Sequence, residues 1–258
     1  MTQGHPGGHG FDGLYMAGTS PVHRVAPEVK IAATVAFVFA VVATPREALW
    51  AFGGDAVLLT GVVALAGLPP SLVARRLRIE IPFLLFAAFM PFTGARPRVD
   101  VLGVSLSEPG LWAAWNIVAK GTLGVTASIV LAATTPVADL LRGLDRLRVP
   151  RVITAIAGFM VRYLGIVAGE AQRMHVARQS RGYDPRWLWQ ARGMAASAGT
   201  LFVRSYERGE RVYLAMLARG YDGTMPALAG RRAPAPAWWP AALPLTAWAL
   251  AAAALVVA

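Results

Sequence analysis

The chain has 258 residues, 56% of them hydrophobic and only 15% charged, whereas an ordinary soluble domain carries about a quarter charged residues. Its formal net charge of +11 is built from 23 Arg and just two Lys, Lys30 and Lys120. Such a basic balance could suit nucleic acid, but apolar runs that need lipid around them exclude that partner. The absence of cysteine excludes disulfides, thiolate metal sites and thiol redox chemistry.

Residues 1–28 read as a polar tail: GHPGGHG has no apolar period, and Pro21 and Pro27 interrupt the remainder of the segment. No cleavable signal peptide is evident, because the first apolar run starts only after Lys30. Residues 29–135 hold the first transmembrane helices. The run 29–43 is short for a span of ~20 residues. With its flanks it crosses, or it forms a hairpin with 48–68 through the turn TPRE. Arg75, Arg76 and Arg78 come next, then an apolar segment 81–92 containing Pro82 and Pro91, a polar loop 93–109, and a fourth span 111–134 with Asn116 and Lys120 inside it.

Residues 136–232 differ in character. The window 139–232 carries 16 Arg against seven acidic residues, yet keeps helical apolar spacing at Val137, Leu140, Leu141 and Leu144, across 152–168, and around Val212 and Met216. A solvated charged tail would not show that pattern. Within it, 152–168 is apolar apart from Arg162 and either dips into the membrane or packs beneath it. A last apolar span occupies 237–258, opened by Trp238 and Trp239 as interfacial anchors. The expectation is an all-α integral membrane protein with about five transmembrane helices (four to six) and coupling helices between the last two. The excess of arginine places 139–232, Arg75–Arg78 and the N-terminus in the cytoplasm and the 93–109 loop outside.

The most informative pattern is a short motif present twice, Ser180-Arg181-Gly182-Tyr183-Asp184 and Ala218-Arg219-Gly220-Tyr221-Asp222, 38 residues apart. Each copy ends a helical stretch. The first stretch carries Glu170 and Arg173 at i,i+3, and the second Glu207 and Arg211 at i,i+4, the favourable order for a surface pair. In both, glycine stands where a helix end needs a left-handed residue. A single Arg before such a glycine would do no more than complement the helix dipole, worth ~0.3–1 kcal/mol. Two copies sharing R-G-Y-D, on two amphipathic helices between membrane spans, fit a different role. Each helix end presents a guanidinium to an acidic pocket of a partner with two related subunits.

This pair of motifs resembles the transmembrane T subunit of energy-coupling factor (ECF) transporters, whose Ala-Arg-Gly-like signatures on coupling helices dock into two ABC-type ATPases. Thr134-Thr135-Pro136 leading into DLLRGLDRLRVP, then Arg162-Tyr163 and Glu170, extend the likeness, with Ser180 a small-for-small departure from Ala. The block Ser20-Pro21-Val22-His23-Arg24 with Pro27 and Lys30, and the tail HGFD, resemble the cobalt branch, CbiQ. The likeness runs over about residues 20–225.

The resemblance implies a non-catalytic coupling subunit in a bacterial or archaeal cytoplasmic membrane. Its partners would be an ABC ATPase dimer (CbiO-like), a substrate-binding membrane subunit (CbiM-like) and a small accessory membrane subunit. It implies Arg181 and Arg219 as hooks into the ATPases, Gly182 and Gly220 as turns close to them, and Ser180 and Ala218 as uncrowded contacts. Arg162, Glu170, Arg173, Arg178, Glu207 and Arg211 would support the coupling helices. The cargo would be cobalt or nickel, with a vitamin-specific or shared ECF T subunit as the alternative.

The rest of the sequence carries little chemistry of its own. It has no Gly-x-x-x-x-Gly-Lys-Ser/Thr loop, so ATP and Mg would be bound by the partner ATPases, and no cofactor or metal is expected in this chain. His5, His9, Asp12 and His23 are metal-ligand candidates by type only, and histidines in such a tail are more often incidental. Asp55, Asn116, Lys120 and Arg162 are intramembrane polar groups of the kind that mark function, while Gly121, Gly124, Ala127 and Ser128 suit close helix packing. No paired carboxylates or Ser/His/Asp set accompanies them. Two rivals remain: a conventional ABC permease lining a substrate path, which would show one coupling loop rather than two signatures, and a membrane enzyme with a basic anion-binding region.

Overall fold

The computed structural model describes residues 14–94, 97–101, 104–183, 192–222 and 242–257. The chain divides into two units. One holds Leu14–Leu147 with the C-terminal segment, and the other holds residues 148–231.

The first unit is a bundle of apolar helices. A short α1 (Pro21–Arg24) is capped by Ser20, whose hydroxyl accepts from the His23 amide. Helix α2 (Pro27–Ala43) opens on proline, whose fixed φ suits a first helical turn. Helix α3 (Leu49–Ala66) ends at Gly67 in the left-handed region, φ +66°. Helix α6 (Glu108–Thr134) is capped by Ser107, which accepts from the Gly110 amide at 3.2 Å. Phe37 and Val41 of α2, Phe52 and Leu59 of α3, Leu123 and Ala127 of α6, and Ala247 of α10 (Ala242–Val257) meet in the main core. A second cluster joins Val22, Ala66, Leu68, Val130 and Ala133.

The third apolar segment is built in pieces. Helix α4 (Pro70–Arg76) leads through a 3₁₀ turn (Leu77–Glu80) into α5 (Ile81–Thr93). At 1.5 Å per residue α5 is only ~20 Å long, short of a ~30 Å hydrocarbon core, but α4 and the turn also lie along α6. Glu80 is buried at the join and accepts from the Thr122 hydroxyl at 3.1 Å. A Cβ on Gly121 would lie 2.6 Å from the Glu80 carboxylate, and one on Gly110 only 2.4 Å from the Met90 carbonyl. Glycine on α6 is what lets this segment approach. Of the other small residues, Ala127 is buried, whereas Gly124 faces open space and Ser128 is exposed, its hydroxyl bonding the Gly124 carbonyl.

The polar stretch 93–109, expected as a loop, contains an antiparallel hairpin of β1 (Arg98–Val101) and β2 (Val104–Ser107), with Arg98 opposite Ser107. Helix α7 (Val137–Arg146) closes on α2. Gly143 leaves no room for a Cβ against Ile31 and the 27–28 backbone, and Arg146 pairs with Glu28 at 2.9 Å.

Among the described residues, the second unit is two long helices. Helix α8 (Arg151–Gln179) takes the apolar run 152–168 and the first charged stretch into one continuous helix, none of whose residues is buried. Helix α9 spans Arg192–Leu217. By length and composition, α3, α6 and α8 are the described helices capable of crossing a membrane. The C-terminal span read at 237–258 is described from Ala242 onward, and its Trp238 and Trp239 lie outside the described residues.

Candidate functional site

Both R-G-Y motifs close their helices in the same way. After α8, the Gly182 amide donates to the Gln179 carbonyl at 2.9 Å and the Tyr183 amide to the Arg178 carbonyl at 3.1 Å. After α9, the Gly220 amide donates to Leu217 at 3.0 Å and the Tyr221 amide to Met216 at 3.0 Å. Gly182 has φ +74° and Gly220 φ +83°. These paired bonds across a left-handed glycine form a Schellman closure, which satisfies carbonyls that the helix itself cannot. The two copies therefore share a backbone shape as well as a sequence. Each turns the chain sharply just beyond its arginine.

Ser180, Arg181, Ala218 and Arg219 are all exposed. Among the described residues, neither the Arg181 nor the Arg219 guanidinium has an ion pair. Each arginine thus stands at a helix end with its fork of donors turned to solvent, ready for bidentate contact with a carboxylate. Asp184, the last residue of the first motif, lies outside the described residues.

The supporting residues divide into engaged and exposed groups. Glu170 on α8 binds Arg173 at 2.7 Å within its own helix and Arg204 of α9 at 2.5 Å. This one carboxylate pins the two helices together. Arg204 escaped the reading of the sequence because it lies 34 residues from Glu170 and no helical spacing links them. Glu207 and Arg211 approach at 3.9 Å along α9. Arg178 donates to the Gly193 carbonyl at 3.4 Å, at the start of α9. Arg162 is exposed on α8, as is His175.

The tyrosines of the two motifs have different seats. The Tyr183 hydroxyl accepts from the Gly193 amide at 3.3 Å. Tyr221 instead lines a cleft of about 430 Å³ between α8 and α9, with Phe159, Met160, Tyr163, Tyr213 and Met216. Large side chains such as Met160, Phe202, Tyr206 and Leu214 are mostly exposed on these two helices. Apolar surface of this extent marks a protein or membrane contact.

His23 does not sit as a metal ligand. Its Nε2 donates to the Met16 carbonyl at 3.0 Å, which leaves Nδ1 to accept from the Ser20 hydroxyl at 2.6 Å. Both ring nitrogens are used in holding α1. His5, His9 and Asp12 lie outside the described residues, and among those described no group of three His, Asp or Glu is placed to hold a metal. Asp55 is fully buried, and neither its oxygens nor the buried Asn116 Oδ1 have a hydrogen-bond partner among the described residues.

Comparison with known proteins covers most of the chain. The sequence model of the CbiQ family, cobalt transport protein, matches residues 18–228. A cobalt transport protein CbiQ of Rhodobacter capsulatus is 35% identical over 167 residues, 62% of this chain and 68% of the relative. An energy-coupling factor transporter transmembrane protein EcfT of Bacillus selenitireducens is 27% identical over 226 residues, 82% of this chain and 83% of the relative. A CbiMQ fusion protein of Methanocorpusculum labreanum is 25% identical over 214 residues, which cover 80% of this chain but only 36% of the fusion.

Proposed function

Because this chain belongs to the CbiQ family of cobalt transport proteins, we propose that it is the T component of an energy-coupling factor importer, taking up cobalt, with nickel as the second cargo. In this reading it catalyses no reaction and holds no cofactor. ATP and Mg belong to an ABC ATPase dimer, and the cargo to a substrate-binding membrane subunit. The chain lies in the cytoplasmic membrane with its N-terminus and the 136–232 region inside.

The observation that carries the reading is the duplicated helix end. Two exposed arginines, each followed by a left-handed glycine in the same hydrogen-bonded closure, suit two equivalent acidic grooves on a dimeric partner. When ATP draws the two ATPases together, grooves that grip Arg181 and Arg219 draw the ends of α8 and α9 with them. The exposed apolar side chains of these helices then pass the movement to the substrate-binding subunit. A conventional permease, gripped at one loop, has no use for the second copy.

The reading is tested by co-expressing the chain with ABC ATPases and a substrate-binding subunit from the same genome. Affinity capture of this chain is expected to bring down both partners, and proteoliposomes of the complex to take up cobalt when ATP is supplied. Capture without the ATPases would remove the coupling role, and vitamin uptake without metal uptake would move the chain to the other branch.

A further inference from the structure

Among the described residues, the first hook is fastened to the second helix by a contact that has no counterpart at the second hook. The Tyr183 hydroxyl, one residue past Gly182, accepts from the Gly193 amide at 3.3 Å. Gly193 lies in the first turn of α9, where amides have no partner within the helix. On its other side, the Gly193 carbonyl accepts from Arg178, in the last turn of α8, at 3.4 Å. The fit is close: a Cβ on Gly193 would lie 2.7–2.8 Å from the Tyr183 ring and hydroxyl. Two residues of the first motif region thus hold one glycine of α9 by its N–H and its C=O, against a ring that leaves room for no side chain. Tyr221 sits instead in the α8–α9 cleft.

We propose that Tyr183 and Gly193 form a latch that makes the end of α8 and the start of α9 a single mechanical element, so that the two hooks transmit motion unequally. The inference rests on the coupling reading above. Pull on Arg181 passes through the Tyr183–Gly193 contact straight into the N-terminus of α9. Pull on Arg219 acts at the far end of α9 and reaches α8 along the helix, through the Glu170–Arg204 pair and across the cleft that Tyr221 lines. Tyr183 and Gly193 are positioning residues, which fix the line along which force travels.

The test uses the full chain in its complex, with spin labels at Gln179→Cys and Ala195→Cys, both exposed positions, in a protein with no cysteine of its own. With Tyr183 and Gly193 intact, the distance distribution between the labels is expected to be narrow and to stay narrow through ATP turnover. Gly193→Ala should broaden it and lower cobalt uptake per ATP hydrolysed by about tenfold, while the ATPases still co-purify because both hooks remain. Tyr183→Ala should do the same. The double variant should be no worse than either single one, since the added Cβ no longer meets a ring. Additive losses, or an unchanged distribution in Gly193→Ala, would overturn the latch. Should Gly193→Ala fail to assemble, Tyr183→Phe, which keeps the ring but not the oxygen, is expected to give an intermediate width; a width equal to the native one would also overturn it. Without ATP the distance distribution can be read whether or not the ATPases are bound, so failure of the hooks shows as lost co-purification and failure of the latch does not.

Discussion

The Nζ of Lys30, near the start of α2, donates to the carbonyl of Thr134, the last residue of α6, at 2.9 Å. The converse contact exists at the other end of the pair, where Lys120 of α6 donates to the Val42 carbonyl in the last turn of α2 at 2.8 Å. The chain's only two lysines therefore clasp the same two antiparallel helices, each ammonium on the negative end of its neighbour. Carbonyls at a helix end have no acceptor role within the helix, and in lipid no water replaces the missing donor.

This clasp predicts an order of stabilities. A hydrogen bond from a charged donor contributes about 1.5–3 kcal/mol in soluble folds, and interhelical hydrogen bonds within membranes average about 0.6 kcal/mol. Lys30→Met should therefore destabilise the bundle by ~1–2 kcal/mol, since Lys30 is buried. Lys120→Met should cost less, because its bond is exposed. Unfolding in mixed micelles by added dodecyl sulfate measures both, and a larger loss at Lys120 would show that the clasp is not what holds α2 to α6.

The orientation proposed from the arginine excess is open to direct labelling. Ser105→Cys, exposed on β2, should react with an impermeant maleimide added to intact cells. Glu210→Cys, exposed on α9, should react only after the membrane is opened. Outside labelling at residue 210 would place the hooks on the wrong side for any ATPase.

How far the sequence could be read depends on the range of each interaction. The helix ends at Arg181 and Arg219 were legible because a Schellman closure is local: glycine after the last turn is its whole signature. The links Glu170–Arg204, Tyr183–Gly193 and Lys30–Thr134 join residues far apart in sequence, so no periodicity announces them. Lys120 stood out as an intramembrane charge, yet nothing local pointed to Val42. The hairpin at 98–107 was hidden for another reason. Alternation of Val99, Val101, Val104 and Leu106 was present, but over four-residue strands it is too short to outweigh Pro, Gly and Asp nearby. The apolar run 152–168 joined α8 because Gly158, Gly165 and Gly169 do not break a helix that otherwise keeps its period.

The two glycines make a backbone prediction. A Cβ on Gly182 or Gly220 would meet nothing within 4 Å, so any cost of alanine there comes from the left-handed φ alone. That cost is ~1–2 kcal/mol per residue. Gly220→Ala should therefore unwind the closure, speeding hydrogen exchange at the Gly220 and Tyr221 amides and weakening ATPase capture. Gly220→Asn should lose much less, because asparagine tolerates this conformation. Equal losses from Ala and Asn would mean that the partner needs the missing side chain rather than the turn.

The decisive prediction concerns the arginines themselves. Both lie just beyond their assigned helices and are exposed, so Arg181→Ala and Arg219→Ala should leave the membrane fold intact. If each guanidinium enters an acidic groove, its loss strands a partner carboxylate, and truncating one member of such a pair costs about 2–5 kcal/mol of binding. An arginine that only complements a helix dipole would cost ~0.3–1 kcal/mol of stability and no partner. The two outcomes differ by orders of magnitude in ATPase retention, which affinity capture reads directly. The double variant should lose the ATPases and metal uptake, and Arg→Lys should restore little, because an ammonium lacks the planar fork that meets a carboxylate with two bonds. A double-alanine protein that still captured its ATPases and imported metal at the native rate would make both residues ordinary surface charges, and would leave the duplicated closure without the role assigned to it.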